Sequence, residues 1–151
     1  IGALGAALVL GFLFLDPAAS ESNASGTPVD APQSWHISFF DARTTPATEA
    51  GSGDSAGLDL AFKGAPFVDF KDNAWYVLAS AEVQTAGGYA SITFEHTCDL
   101  EVVVDGHDVA RVPHNGKLQT TVAKFTHAAG PVRILVQCHD GDGEFTLKYV
   151  G

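Results

Sequence analysis

The sequence predicts an all-β fold, an antiparallel β-sandwich, preceded by an apolar helix of transmembrane type. Three observations predict it. From Trp35 to Tyr149 apolar residues recur with period two almost everywhere, the alternation of half-buried strands. Gly-Gly, Asp-Gly and Asn-Gly pairs interrupt that alternation at short intervals, as turns do in an all-β chain. No helical period survives after residue 16, whereas Ile1 to Leu15 form an unbroken apolar run without a charge.

That run sets the first segment, residues 1–16, as a membrane anchor helix. Crossing about 30 Å of hydrocarbon takes roughly 20 apolar residues, so the run is slightly short, and residues upstream of Ile1 would complete the span. The alternatives are a helix packed in a filament core and a buried helix of a soluble fold. Ala3, Ala7 and Gly11 recur every four residues and share one side of a helix. Small side chains let helices approach closely, so the expected partners are the lipid bilayer, through residues 1–15, and other membrane protein subunits.

Residues 17–34 are rich in Pro, Ser and Ala, carry acids and lack the apolar content of a core, and they read as a linker. Asn23-Ala24-Ser25 fits the N-glycosylation pattern within it. Residues 35–151 form the sandwich domain, long enough to bury a core and too short for a second catalytic domain. The net charge of −10 excludes nucleic acid as a partner, because polyanions are repelled by an acidic surface. Between Asp16 and Asp59 only Arg43 offsets the acids. This places the domain on the extracytoplasmic side of a membrane, periplasmic, lumenal or extracellular.

Strand by strand, Trp35, Ile37 and Phe39 open the alternation, and the polar stretch 44–57 reads as a long surface loop. Leu58, Leu60 and Phe62 resume it. Trp75, Val77, Ala79, Ala81 and Val83 form a longer inward row, and Gly87-Gly88 leads into Ala90, Ile92 and Phe94, which predicts a hairpin. Leu100, Val102 and Val104 run into Asp105-Gly106, the signature of a type I′ turn, with Val109 and Arg111 beyond it. Asn115-Gly116 repeats the device. Residues 118–125, 132–138 and 145–149 supply three further strands. About eight short strands of this kind make a sandwich, with a barrel as the alternative.

The order of these signals is similar to the β-sandwich domain named for the N-terminal part of anthrax protective antigen, a module of adhesins, glycosidases and other extracytoplasmic proteins. The resemblance runs from Trp35 to Tyr149. It rests on Trp35 to Asp41 (WHISFFD), Trp75-Tyr76-Val77, Gly87 to Phe94 (GGYASITF), Leu100 to His107 (LEVVVDGH) and Gly143 to Tyr149 (GEFTLKY). It implies the sandwich fold and a carbohydrate-binding class. In that family's lectins, paired aspartates just before the strand that leads to the Asp-Gly turn hold calcium. Thr97 and Cys98 occupy that place here, which removes the carboxylates a hard cation needs.

Cys98 precedes one strand and Cys138 ends another, and an even cysteine count in an exported domain favours a disulfide between them, with two buried free thiols as the alternative. Gly53-Asp54-Ser55-Ala56-Gly57 matches G-x-S-x-G but lacks the buried strand before and the helix after that a nucleophile elbow requires. Asp140, Asp142 and Glu144 alternate along a Gly-rich run and could converge on calcium, although Asp-Gly pairs are also ordinary turn chemistry. His107 and His114 flank one hairpin without zinc-ligand spacing. Trp75, Tyr76, Tyr89 and Tyr149 are the aromatic residues that could stack on a sugar ring. Trp35 and Trp75 share the phase of their apolar neighbours and belong to the core, whereas Tyr76 falls on the opposite phase and is the preferred ligand-stacking candidate.

No nucleophile, base and orienting group assemble into an active site, so the expected function is non-enzymatic. The leading expectation is a membrane-anchored extracytoplasmic accessory subunit of a larger membrane-bound assembly. The alternatives are a cell-envelope carbohydrate-binding, lectin-like module that takes a glycan, and a surface-filament subunit. No cofactor is expected beyond a calcium ion at the Asp140 to Glu144 loop.

Overall fold

The computed structural model describes residues 27–63, 74–139 and 144–151, and the anchor segment with Ala3, Ala7 and Gly11 lies outside them. No helix occurs among the described residues. The strands are β1 (Thr27–Pro28), β2 (Trp35–Asp41), β3 (Thr48–Ser55), β4 (Asp59–Lys63), β5 (Trp75–Thr85), β6 (Gly88–His96), β7 (Asp99–Val104), β8 (His107–Val112), β9 (Gln119–His127), β10 (Gly130–His139) and β11 (Glu144–Tyr149).

Two sheets result. Six strands run in the order β3-β2-β5-β10-β7-β8, all antiparallel. In the five-stranded sheet β6 is the hub: β9 lines it from Gly88 to His96, while β11 pairs with it at His96, Glu95 and Phe94 and leads on to β4. β1 adds a short parallel pairing at Ala90 and Ser91.

The alternation read from the sequence puts one residue in two between the sheets. Val77, Ala79, Val102, Ile134 and Val136 come from the six-stranded layer, and Ile92, Phe94, Phe145 and Leu147 from the other, all fully buried or nearly so. Trp35 and Trp75 are each 1% exposed, and both belong to the core as expected. Trp75 packs on Phe145 at 4.9 Å between centroids and Trp35 on Tyr149 at 5.4 Å, each pair joining the two layers. These contacts make the fold a sandwich with one core.

The fold departs from expectation in three places. The segment read as a linker reaches the sandwich before Trp35, because residues 27–28 pair with β6, Val29 packs against the core and Pro32 is buried. The stretch read as a surface loop contains β3, whose residues pair with β2 from Trp35 to Asp41. An edge strand needs only backbone hydrogen bonds on one side, so a polar Gly/Ser sequence serves. Ser55 of the G-x-S-x-G match ends that strand and no helix follows it.

The third departure concerns hairpins. Asp105-Gly106 forms one as expected, with φ of 47° and 83° at the two turn positions, the left-handed values a type I′ turn requires. Gly87-Gly88 and Asn115-Gly116 do not. β5 and β6 lie in different sheets, as do β8 and β9, so each pair carries the chain across the core. At Gly87 (φ 95°) a Cβ would meet the Ala129 backbone nitrogen at 3.0 Å, which leaves the position to glycine.

Candidate functional site

Cys98 and Cys138 form the disulfide, with Cα atoms 5.6 Å apart, and neither is exposed. Cys98 sits in the turn where the chain leaves β6 for β7. His96 is completely buried beside it. The Cys98 carbonyl can only accept, so His96 Nδ1 donates to it at 3.0 Å, and Nε2 then accepts from the Thr121 hydroxyl at 2.7 Å. Both ring nitrogens are satisfied in the neutral form, and burial pushes the imidazole pKa down.

Thr97 closes this turn from the other side. Its hydroxyl donates to the Glu144 carbonyl at 2.9 Å and accepts from Thr146 N–H at 2.8 Å, tying β11 to the crossing. The position that the family resemblance assigns to paired calcium-binding aspartates is therefore spent on a hydroxyl tie and a disulfide. Of the three carboxylates proposed for calcium, Asp140 and Asp142 lie outside the described residues, and Glu144 opens β11 as an exposed residue opposite Lys63. Among the described residues no three His, Cys, Asp or Glu side chains come together as a metal site.

Tyr76 takes a different role from the one expected. It faces outward on β5, as its phase implies, yet both its ring faces are covered. Phe40 on β2 stacks on one side at 5.0 Å with an interplanar angle of 11°, and His139 on β10 covers the other at 4.8 Å. A sugar ring needs a bare aromatic face, so Tyr76 is not a stacking platform. The cross-strand registers Phe40–Tyr76 and Tyr76–His139 bring the three rings together.

Beyond His139 the same sheet face opens into a groove of about 530 Å3 lined by Asp99, Glu101, Arg111, Pro113 and His139. The Arg111 guanidinium donates to Glu101 and to Asp108, the latter at 3.2 Å. Asp99 accepts the His114 backbone N–H at 2.7 Å. The polar groups of this groove are thus largely engaged with one another.

At the opposite end of the sandwich, Asp105 holds the β7–β8 turn to two neighbours. It accepts the Arg133 N–H at 2.8 Å and pairs with His127 at the end of β9. The Arg133 amide and the His127 ring keep the Asp105 carboxyl below its usual range. The Ala128 carbonyl and Asp105 together raise His127.

The same end carries a second groove of about 420 Å3, lined by Val29, Asp30, Gln84, Thr85, Gly87 and Tyr89. Tyr89 is 44% exposed, and it is the one Phe, Tyr or Trp among the described residues that is exposed rather than buried or half-buried. Trp75 is buried, and Tyr149 packs between Trp35 and Phe94 with its hydroxyl buried and unpaired among the described residues. The groove forms because β1 brings Val29 and Asp30 alongside β6, and the turn at Gly87, fixed by Gly87 N–H on the Thr85 hydroxyl at 3.2 Å, sets Gln84 and Thr85 opposite. Tyr89 is among the aromatic stacking candidates of the sequence, where Tyr76 is preferred to it. The criterion that selected Tyr76, a phase opposite to its apolar neighbours, applies equally to Tyr89 beside Ala90, Ile92 and Phe94.

No protein family matches the chain, and no curated protein does. Solved structures do. The chain is similar to the PA14 domain of the MpAFP antifreeze protein at 14% identity, with a TM-score of 0.61 over 84% of this chain and 85% of that one. It is similar to the PA14 sugar-binding domain of an RTX adhesin at 13% identity and a TM-score of 0.54, over 78% of this chain and 88% of that one. The β-glucosidase of Kluyveromyces marxianus matches at 14% identity and a TM-score of 0.56 over 77% of this chain, which spans only 15% of that enzyme's length. At these identities the likeness establishes a shared β-sandwich fold.

Proposed function

We propose that the domain is a glycan-binding module of the protective-antigen type, and that its sugar site is the groove at Tyr89. The exposed Tyr89 ring carries this reading: it offers an apolar face to the C–H side of a pyranose, while the Asp30 carboxylate, the Gln84 amide and the Thr85 hydroxyl stand within the same groove as partners for hydroxyl groups. The similarity to a sugar-binding adhesin domain supports the class. The spent calcium position leaves a site that works through ring stacking and direct hydrogen bonds.

The test is a glycan array followed by titration calorimetry on the best binder, with and without chelator. Tyr89→Ala abolishes binding on this proposal, and Glu101→Gln in the other groove leaves it unchanged. Binding that survives Tyr89→Ala but is lost to chelator would move the site to the Asp140 to Glu144 loop and defeat the assignment.

The apolar run Ile1 to Leu15 supports a second, compatible statement: the module is displayed outside the cytoplasm from a membrane. The disulfide fits an oxidising compartment. A stoichiometric role beside other membrane subunits, read from Ala3, Ala7 and Gly11, rests on residues outside the described structure. Native mass spectrometry of the detergent-solubilised full chain tests it, and a chain recovered alone would remove it.

A further inference from the structure

We propose that Asn115 is a site of spontaneous, fold-assisted modification: its side-chain amide is lost by attack of the Gly116 peptide nitrogen, in the crossing from β8 to β9. The chemistry is local. As Gly116 N gives up its proton and attacks Asn115 Cγ, a C–N bond forms and negative charge develops on Oδ1. That intermediate expels ammonia, which takes the proton, and leaves a five-membered succinimide. Water then opens the ring at either carbonyl to give Asp or its β-linked isomer. No oxidant, metal or second protein is required.

Three observations favour the step here. Gly116 has φ 78° and nothing within 4 Å of the place a Cβ would occupy, so ring closure meets no side chain at that residue. Lys117 N–H donates to Asn115 Oδ1 at 3.0 Å, on the oxygen that becomes an oxyanion. A preplaced donor at a developing charge lowers the barrier in the way an oxyanion hole does. Third, the residues around it lie outside any strand ladder, between Val112 and Gln119.

The exposed Asp105-Gly106 turn provides an internal contrast. Asp105-Gly106 can form the same ring, but one Asp105 oxygen holds Arg133 N–H and the other holds His127, which fixes the carboxyl away from Gly106. Selectivity between the two dipeptides therefore follows from tertiary contacts. Modification at Asn115 adds a carboxylate next to His114, whose N–H caps Asp99 at the edge of the charged groove. The β-linked product also adds a methylene to the backbone there.

Prolonged incubation of the full chain at mildly alkaline pH, followed by peptide mapping and isoaspartyl methylation, tests the inference. Segment 112–117, released by cleavage after Arg111 and Lys117, is expected to gain the mass of OH in place of NH2 and to become a methyl acceptor, with the segment containing Asp105 unchanged. The folded chain should convert at least as fast as the same chain held unfolded in urea. Lys117→Pro, which removes the donating N–H, should slow the folded rate, read on segment 112–124. If that variant does not fold, the wild-type comparison of folded and unfolded rates decides alone. Suppression of conversion by folding, or equal reaction at Asp105, would overturn the proposal. Glycan binding enters none of these readouts.

Discussion

At one end of the sandwich the crossing from β6 to β7 is closed by the Cys98–Cys138 bond over a buried neutral histidine, while at the other the β7–β8 turn is held to β9 and β10 by an exposed Asp105 that grips His127 and the Arg133 amide. One closure is covalent and dry. The other is ionic and wet. Both hold elements of the two sheets together, but they answer to different variables: the first to reduction and to protonation of His96, the second to pH across the range where carboxylate and imidazole are both charged. The wet end is also the one that carries the open groove at Tyr89.

The largest expected effect is at the covalent end. The bond spans 40 residues, and a loop of that length restrains the unfolded chain by about 4 kcal/mol on the chain-entropy account. Urea denaturation of the Cys98→Ala/Cys138→Ala double variant should show most of that loss. A midpoint equal to wild type would mean that the bridge adds nothing beyond the strand ladders.

Next comes His96, whose pKa is lowered in the folded state by burial. Its contribution is present above the ordinary histidine value of 6.5 and declines as pH falls below it, because the unfolded chain takes up the proton first. Stability measured by denaturant should therefore fall from pH 7.5 toward pH 5, and His96→Gln should remove most of that slope. A slope unchanged in the variant would place the titrating group elsewhere.

The smallest effect, of opposite sign and on the other side of pH 6.5, belongs to the ionic end. His127 has a raised pKa, so its contribution is full below 6.5 and is lost as pH rises through the folded value. Asp105 has a lowered pKa, so its share is present above 3.8 and is lost as pH falls through the folded value. The pair acts in the window between, and its exposure keeps the effect modest and sensitive to salt. His127→Gln should flatten the fall in stability as pH rises above 6.5 through the raised His127 value, and high salt should mimic the variant. A wild-type profile indifferent to salt would show that backbone contacts alone hold this end.

Sequence by itself determined where the alternating strands lie and which side of each is apolar, since both follow from the two-residue repeat of the extended chain; β1 and β3 lack that repeat and were not legible. It also determined the Asp105-Gly106 turn, whose left-handed backbone is a property of two adjacent residues, and it brought Cys98 and Cys138 forward as partners. Tertiary structure decided which strands are neighbours. Gly87-Gly88 and Asn115-Gly116 carry the same local preference as Asp105-Gly106, yet they cross between sheets, because pairing depends on residues tens of positions away. The 44–57 stretch has no apolar pattern, and only the open edge of β2 makes part of it a strand. Tyr76 and Tyr89 likewise share one sequence signal, the outward phase. Phe40 and His139 cover the first through the registers of β2 and β10, whereas the second stands beside a groove walled by β1 and the end of β5; the difference between a packed ring and an open one is set by neighbours that no local pattern encodes.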